Sequence, residues 1–172
     1  MNTILFCKLE FNRFYFFGLI ITGLIIGLLS CTKDIAKNPD LAFSNKALYD
    51  SCRNEAAFNY YKNNNQTLQV SASSNSPHGA FKLKFNKIAF DALTDNGKLP
   101  VSEKFPNGSM VVKEIQSDGQ YAIMYKHNNS WLWAEINANG SVDYSVNKDP
   151  SVCVSCHNQL GQRDLVVSFN YY

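Results

Sequence analysis

An excess of charge of one sign is the first thing this sequence lacks: sixteen Lys and Arg residues face fourteen Asp and Glu, a formal net charge of +2 over 172 residues. No Lys/Arg cluster stands out along the chain. A nucleic-acid partner therefore has no electrostatic support. Charged residues are scarce altogether, at 17%, while 45% of the chain is hydrophobic and 13% aromatic, which excludes bulk disorder and fits one folded domain. There is no repeat of fixed period. Only one long hydrophobic run is present, Phe14 to Leu29, broken by Gly18, Thr22, Gly23 and Gly27. It is short beside the roughly 20 apolar residues that a spanning helix needs.

That run follows Lys8 and Arg13 and reads as the apolar region of a secretory signal peptide covering residues 1–30. It ends in Leu28-Leu29-Ser30-Cys31, which resembles the lipobox of bacterial lipoproteins, where lipidation of the cysteine precedes cleavage before it. Cys31 is thus the expected lipidation site. The competing reading is an uncleaved short membrane anchor with Cys31 a bystander. Either way the expected location is outside the cytoplasm, as a membrane-anchored lipoprotein facing the periplasm or the cell surface. Residues 31–43 form a polar tether with Lys33, Asp34, Lys37 and Asp40.

Residues 44–172 carry the fold. Ser44 is placed as the N-cap of a helix reaching about Lys62, with Leu48, Cys52 and Ala56 on one face. Asn63 to Pro77 is polar and reads as loop, with only Leu68 and Val70 able to start a strand. From Ala80 the period becomes two: Phe81, Leu83 and Phe85 alternate with Lys82 and Lys84, a strand with one wet face. A short helix, Lys87 to Leu93, ends at the Asp95-Asn96-Gly97 turn. Strands are predicted at Met110–Ile115, Tyr121–Tyr125, Trp131–Ile136 and Val142–Val146, and Leu165 to Phe169 offers a last one. Short turns between successive strands predict an antiparallel meander. The fold class is α+β, mainly an antiparallel sheet of about five strands with a few short helices, and the sheet's apolar face needs a helix or a ligand to cover it.

Cysteine is informative by count and by position. Of five cysteines, Cys7 lies in the signal segment, Cys31 is the lipidation site, and Cys153 and Cys156 sit with His157 in Cys-Val-Ser-Cys-His, so no evident pair remains for a disulfide. Cys52 reads as a small buried apolar residue. Two thiols three residues apart, followed at once by histidine, suit thioether bonds to both haem vinyl groups while the imidazole reaches the iron. Chance would produce that pattern in only ~0.3% of chains of this length and composition, so one covalently attached haem c is the expected cofactor. A zinc half-site lacks a second ligand pair, and a redox Cys-x-x-Cys lacks its thioredoxin-like context.

Function then turns on the sixth coordination position. Met110, Met124, His78 and His127 are the candidates for a second protein ligand, and each has an ordinary structural reading: the methionines as core, His78 as a turn or hydrogen-bonding residue, His127 as a solvated turn residue. If one of them binds, the iron is closed and passes electrons. If none does, it takes small molecules. Lys113 shares its strand face with Val111 and Ile115, and an amine in an apolar wall loses its proton readily and becomes nucleophilic; snorkelling at an edge is the alternative.

Across residues 77–169 the pattern resembles a family, cytochrome P-460 with its relative cytochrome c′-beta. The matching stretches are Pro77-His78-Gly79-Ala80-Phe81, Phe85-Asn86-Lys87-Ile88-Ala89, Pro106-Asn107-Gly108-Ser109-Met110-Val111-Val112-Lys113-Glu114, Trp131-Leu132-Trp133, and Cys153 to His157 followed by Arg163-Asp164-Leu165-Val166. The resemblance implies a mainly antiparallel β fold, commonly dimeric, with a five-coordinate haem whose distal side is open. His157 would be the proximal iron ligand. In the P-460 enzymes, which oxidise hydroxylamine, a strand lysine is cross-linked to the haem, and Lys113 looks like that residue. The chain departs from those enzymes in placing Phe81 where they carry a distal arginine and Ala122 where they carry a distal glutamate. An apolar cap is similar to that of cytochrome c′-beta, which binds nitric oxide. The resemblance therefore implies a ligand such as nitric oxide or hydroxylamine. Turnover of hydroxylamine or nitric oxide through Lys113 is the alternative, and a six-coordinate electron carrier the second alternative. The redox partner is left unnamed.

Overall fold

Strand alternation after residue 80 becomes a six-stranded antiparallel sheet in strict chain order. The structure, a computed structural model, describes residues 44–69 and 76–172. The expected signal peptide, Cys31 and the tether all lie outside the described residues, as does Val70. Among the described residues no helix is long and apolar enough to cross a membrane.

Helix α1, Asn45–Cys52, starts where expected, with the Ser44 side chain accepting from the Ala47 amide. It stops ten residues before Lys62. A 3-10 turn, Glu55–Ala57, leads into strand β1, Phe58–Tyr60, which pairs with the next strand in the register Phe58 to Asn86 and Tyr60 to Lys84. The backbone groups of residues 58–60 find partners on a sheet edge, and that pairing overrides local helix preference. This is the strand by which the sheet exceeds the predicted five.

Strand β2, Phe81–Asn86, is followed by α2, Lys87–Asp91, whose N-cap Asn86 accepts the Ala89 amide and also ties Gly108 and Met110 of the next strand's approach. Strands β3, Met110–Ile115, β4, Tyr121–His127, β5, Ser130–Ile136, and β6, Val142–Tyr144, complete the meander. The β4–β5 connection is Asn128-Asn129, both with positive φ (48° and 61°), the backbone that a two-residue hairpin requires. Helix α3, Ser151–His157, carries the Cys-Val-Ser-Cys-His motif. Leu165 to Phe169 is not a strand. Asp164 and Leu165 adopt positive φ, and Val167–Asn170 is a 3-10 turn.

Both faces of the sheet are covered. On one, α1 lays Leu48 and Cys52 over Met110, Val112, Ile123, Ala134 and Ile136. On the other, Phe81, Leu83, Phe85, Val111, Met124, Trp131 and Trp133 meet Leu99, Phe105, Val166 and Phe169. The expected wet face of β2 is thereby corrected at Lys84, which is fully buried. Its ammonium donates to the Cys52 carbonyl (2.6 Å) and to Glu55 (2.7 Å), and pairs with Glu114. Burial works against its charge, but the Glu114 and Glu55 carboxylates outweigh it and raise the Lys84 pKa. A lysine can sit at a core position here because its ammonium meets acceptors from the end of α1, the 3-10 turn after it and β3.

Candidate functional site

The site is built where the second sheet face meets α3 and the C-terminal turn. One helical turn puts Cys153 and Cys156 on neighbouring positions at i and i+3, with His157 directly after them. All of the described cysteines are free thiols. Burial, with the Glu135 charge adding to it, raises the Cys153 pKa, the opposite of the activated thiolate of a redox Cys-x-x-Cys. Among the described residues no three His, Cys, Asp or Glu side chains converge as a cage for a metal ion.

His157 is buried and held on two sides. Its Nδ1 lies 2.8 Å from the Leu165 carbonyl, and the edge of its ring meets the Trp133 ring at 4.7 Å between centres and 77° between planes. A carbonyl accepts only, so Nδ1 carries the proton and Nε2 keeps its lone pair. Burial, with help from the Lys113 charge, lowers the His157 pKa to about 4, and the imidazole is neutral at pH 7. That is the form a metal binds.

The carbonyl that orients His157 belongs to a strained turn. Leu165 has φ 67° and Asp164 φ 48°, and a left-handed backbone is costly for a branched side chain. The surroundings over-determine it. The Asp164 carboxylate accepts the Phe105 amide (2.9 Å) and two contacts from Lys126 (2.8 and 3.0 Å), its carbonyl accepts the Trp131 indole N–H (2.8 Å), and Arg163 donates to Asp95 and the Leu99 carbonyl, both at 2.6 Å. Lys126 and Asp164 are both buried, so this ion pair is well shielded from water.

Beside His157 opens a cavity of about 440 Å³, within the usual range of about 300–1,000 Å³ for small-molecule and cofactor sites. Its lining brings together Phe81, Lys113, Cys153, Cys156 and His157, which are the described residues that sequence reasoning had assigned to the site. Ala122 and Met124 line it as well. Met110 does not: it lies on the opposite sheet face under α1. His127 ends β4 and is not part of the lining.

Sheet register explains how the wall is made. Leu83, Lys113, Ala122 and Glu135 are consecutive partners across β2, β3, β4 and β5, and Tyr144 of β6 continues the row. Directly paired residues share a face, so Lys113 and Glu135 both project on the cavity side. Lys113 is only 9% exposed, with its ammonium 4.6 Å from the centre of the Phe81 ring. Burial lowers its pKa to about 8 despite the nearby Cys156 and Glu135. Glu135 is pushed upward by burial and by Asp143, with Lys113 opposing.

One contributor escaped sequence reasoning. Glu135 supplies a carboxylate beside Ala122 on the cavity wall. Its alternation with Trp131 and Trp133 along β5 was the available signal. His78, a candidate second iron ligand in the sequence whose ordinary reading is a turn or hydrogen-bonding residue, also lines the cavity, with its ring centre 6.5 Å from that of His157. Its Nδ1 is 3.7 Å from Glu135, too long for a hydrogen bond. Burial, reinforced by Lys113 and His157, lowers the His78 pKa to about 3, so the contact joins a neutral ring to the carboxyl group rather than two charges.

The residues present fit a covalently held haem. Two thiols stand at the rim, a neutral imidazole keeps Nε2 unprotonated, and Phe81, Val111, Met124, Trp133 and Val166 offer apolar walls to a porphyrin. No family model, curated protein or solved structure matches the chain.

Proposed function

We propose that this chain is an exported mono-haem c-type cytochrome that binds nitric oxide or a related small nitrogen ligand. Cys153 and Cys156 hold the haem as thioethers, and His157 is the protein ligand from α3. The observation that carries the reading is the convergence of both thiols and a carbonyl-oriented, neutral histidine on one apolar cavity. When bound, haem supplies an iron that takes small nitrogen-oxygen ligands and moves single electrons. The chain does the rest. The Leu165 carbonyl fixes the His157 ring, Phe81, Val111 and Met124 exclude water, and Lys113 and Glu135 provide the two ionisable groups of the wall.

Oxidation of hydroxylamine or nitric oxide is the second reading. It is favoured by Lys113, whose amine is buried with its pKa near neutrality, and by Glu135, whose raised pKa suits proton exchange at the cavity. Spectra of the purified protein with and without nitric oxide test the first reading, and no spectral response would refute it. A tryptic peptide carrying Lys113 joined to haem, together with turnover of hydroxylamine, would support the second. Anchoring through Cys31 belongs to the same proposal, with fatty-acid labelling expected in the wild type and lost in Cys31→Ser.

A further inference from the structure

The cavity has two imidazoles, and the proposed function uses one. His78 follows Pro77 and precedes Gly79, whose φ of +58° is a conformation that glycine adopts freely. That turn brings the His78 side chain, 13% exposed, into the cavity just before β2 begins. Its ring centre stands 6.5 Å from that of His157, with 74° between the planes. Trp133, by contrast, touches His157 at 4.7 Å. The His78 ring thus lies about 1.8 Å farther from His157 than Trp133 does.

The stand-off has a metric meaning. A metal–imidazole bond of about 2 Å, with each nitrogen about 1.15 Å from its ring centre, puts two histidines on one iron with centres about 6.3 Å apart. The two rings are supported unequally. The Leu165 carbonyl holds Nδ1 of His157 at 2.8 Å, whereas Nδ1 of His78 faces Glu135 across 3.7 Å, a gap that a small ring movement closes, and each ring has Nε2 as its remaining nitrogen. Outer oxygen partners orient metal-bound histidines.

We propose that His78 is the second axial ligand of the haem iron in the resting protein, so that a small ligand binds only by displacing it. This rests on the haem reading above and departs from the open distal side that the family resemblance implies. Glu135 is the positioning residue for His78. Resting iron then has two protein ligands and suits electron transfer, while nitric oxide binding is gated by departure of the Pro77–Gly79 turn from the iron. Met124 is the competing ligand within the lining.

The test uses the full chain matured in a host that attaches c-type haem. Haem staining after denaturing electrophoresis is read first: a bare polypeptide refutes the haem reading itself, and this inference falls with it. With haem in place, the resting ferric absorption and paramagnetic-resonance spectra are expected to be low-spin. His78→Ala is expected to turn high-spin, to return to low-spin on adding free imidazole, and to bind carbon monoxide in the ferrous state with apparent affinity raised about 10–100-fold, as relief from a closed population of about 90–99% requires. Glu135→Gln, which leaves the ring present, is expected to stay low-spin but to show a smaller rise in carbon monoxide affinity. A high-spin resting wild type overturns the proposal while leaving the haem reading intact. So does a His78→Ala spectrum that stays low-spin without imidazole, which would assign the position to Met124.

Discussion

Replacing Lys113 by methionine, an unbranched side chain of comparable length, removes a charge from the cavity wall and should stabilise the protein at neutral pH. Burial lowers the lysine's pKa from 10.5 to about 8 in the folded chain, which amounts to about 3 kcal/mol against the charged form. The folded-state pKa of this base lies below its unfolded value. The unfolded chain therefore binds the proton more readily, and the cost is fully present below pH 8 and fades as pH rises toward 10.5. The Phe81 ring, 4.6 Å from the ammonium, returns about 0.5–2 kcal/mol as a cation–π contact. The net gain for Lys113→Met is thus about 1–3 kcal/mol at pH 7, shrinking below about 1 kcal/mol at pH 10. Urea unfolding of both proteins at the two pH values measures it, and taking the difference between them cancels tyrosine titration. A variant less stable than wild type at pH 7, or a gain unchanged at pH 10, would refute the description of Lys113 as a desolvated amine.

Lys126→Met leaves the buried Asp164 carboxylate without its main partner, Lys104 being more distant at 3.6 Å and largely exposed. A loss of about 3 kcal/mol is expected in denaturant unfolding, at the low end for a broken buried pair because the Phe105 amide still donates to Asp164; a loss under about 1 kcal/mol would contradict the burial argument. Because that turn carries the Leu165 carbonyl, the same variant should also change the electronic spectrum of the haem that the proposed function places on His157. Phe85→Ala removes a fully buried ring that stacks on Phe105 and Phe169. It should cost about 3–5 kcal/mol by the same measurement, and a cost below about 1.5 kcal/mol would mean the core collapses into the space.

The strands after residue 80 were legible because their alternation is local and their turns carry Asn and Gly at the positions that need them. Met110–Ile115 and its neighbours were placed within two residues at each end, and the facing of Lys113 followed from period two alone. Cys153, Cys156 and His157 were legible because one helical turn sets their spacing. What stayed hidden depends on partners far along the chain. Lys84 reads as a solvent-facing strand residue until Cys52, Glu55 and Glu114 are brought against it. Phe58–Tyr60 reads as helix until the edge of β2 claims its backbone. His78 acquires its position only from a residue 79 places later, and alternation along β5 marks Glu135 as facing the tryptophan side without telling what lies there. The C-terminal stretch reads as a strand by composition, while the left-handed Asp164 and Leu165 are maintained by Lys126, Phe105 and Trp131.

The account depends most on the two thiols of α3 being thioethers to haem, and intact mass measured under denaturing conditions tests that directly. For the chain matured in an exporting host, the expected mass is that of the processed polypeptide plus one haem, reduced to the polypeptide alone in a Cys153→Ala, Cys156→Ala double variant. A wild-type mass without haem, with both thiols free to alkylate, would contradict it.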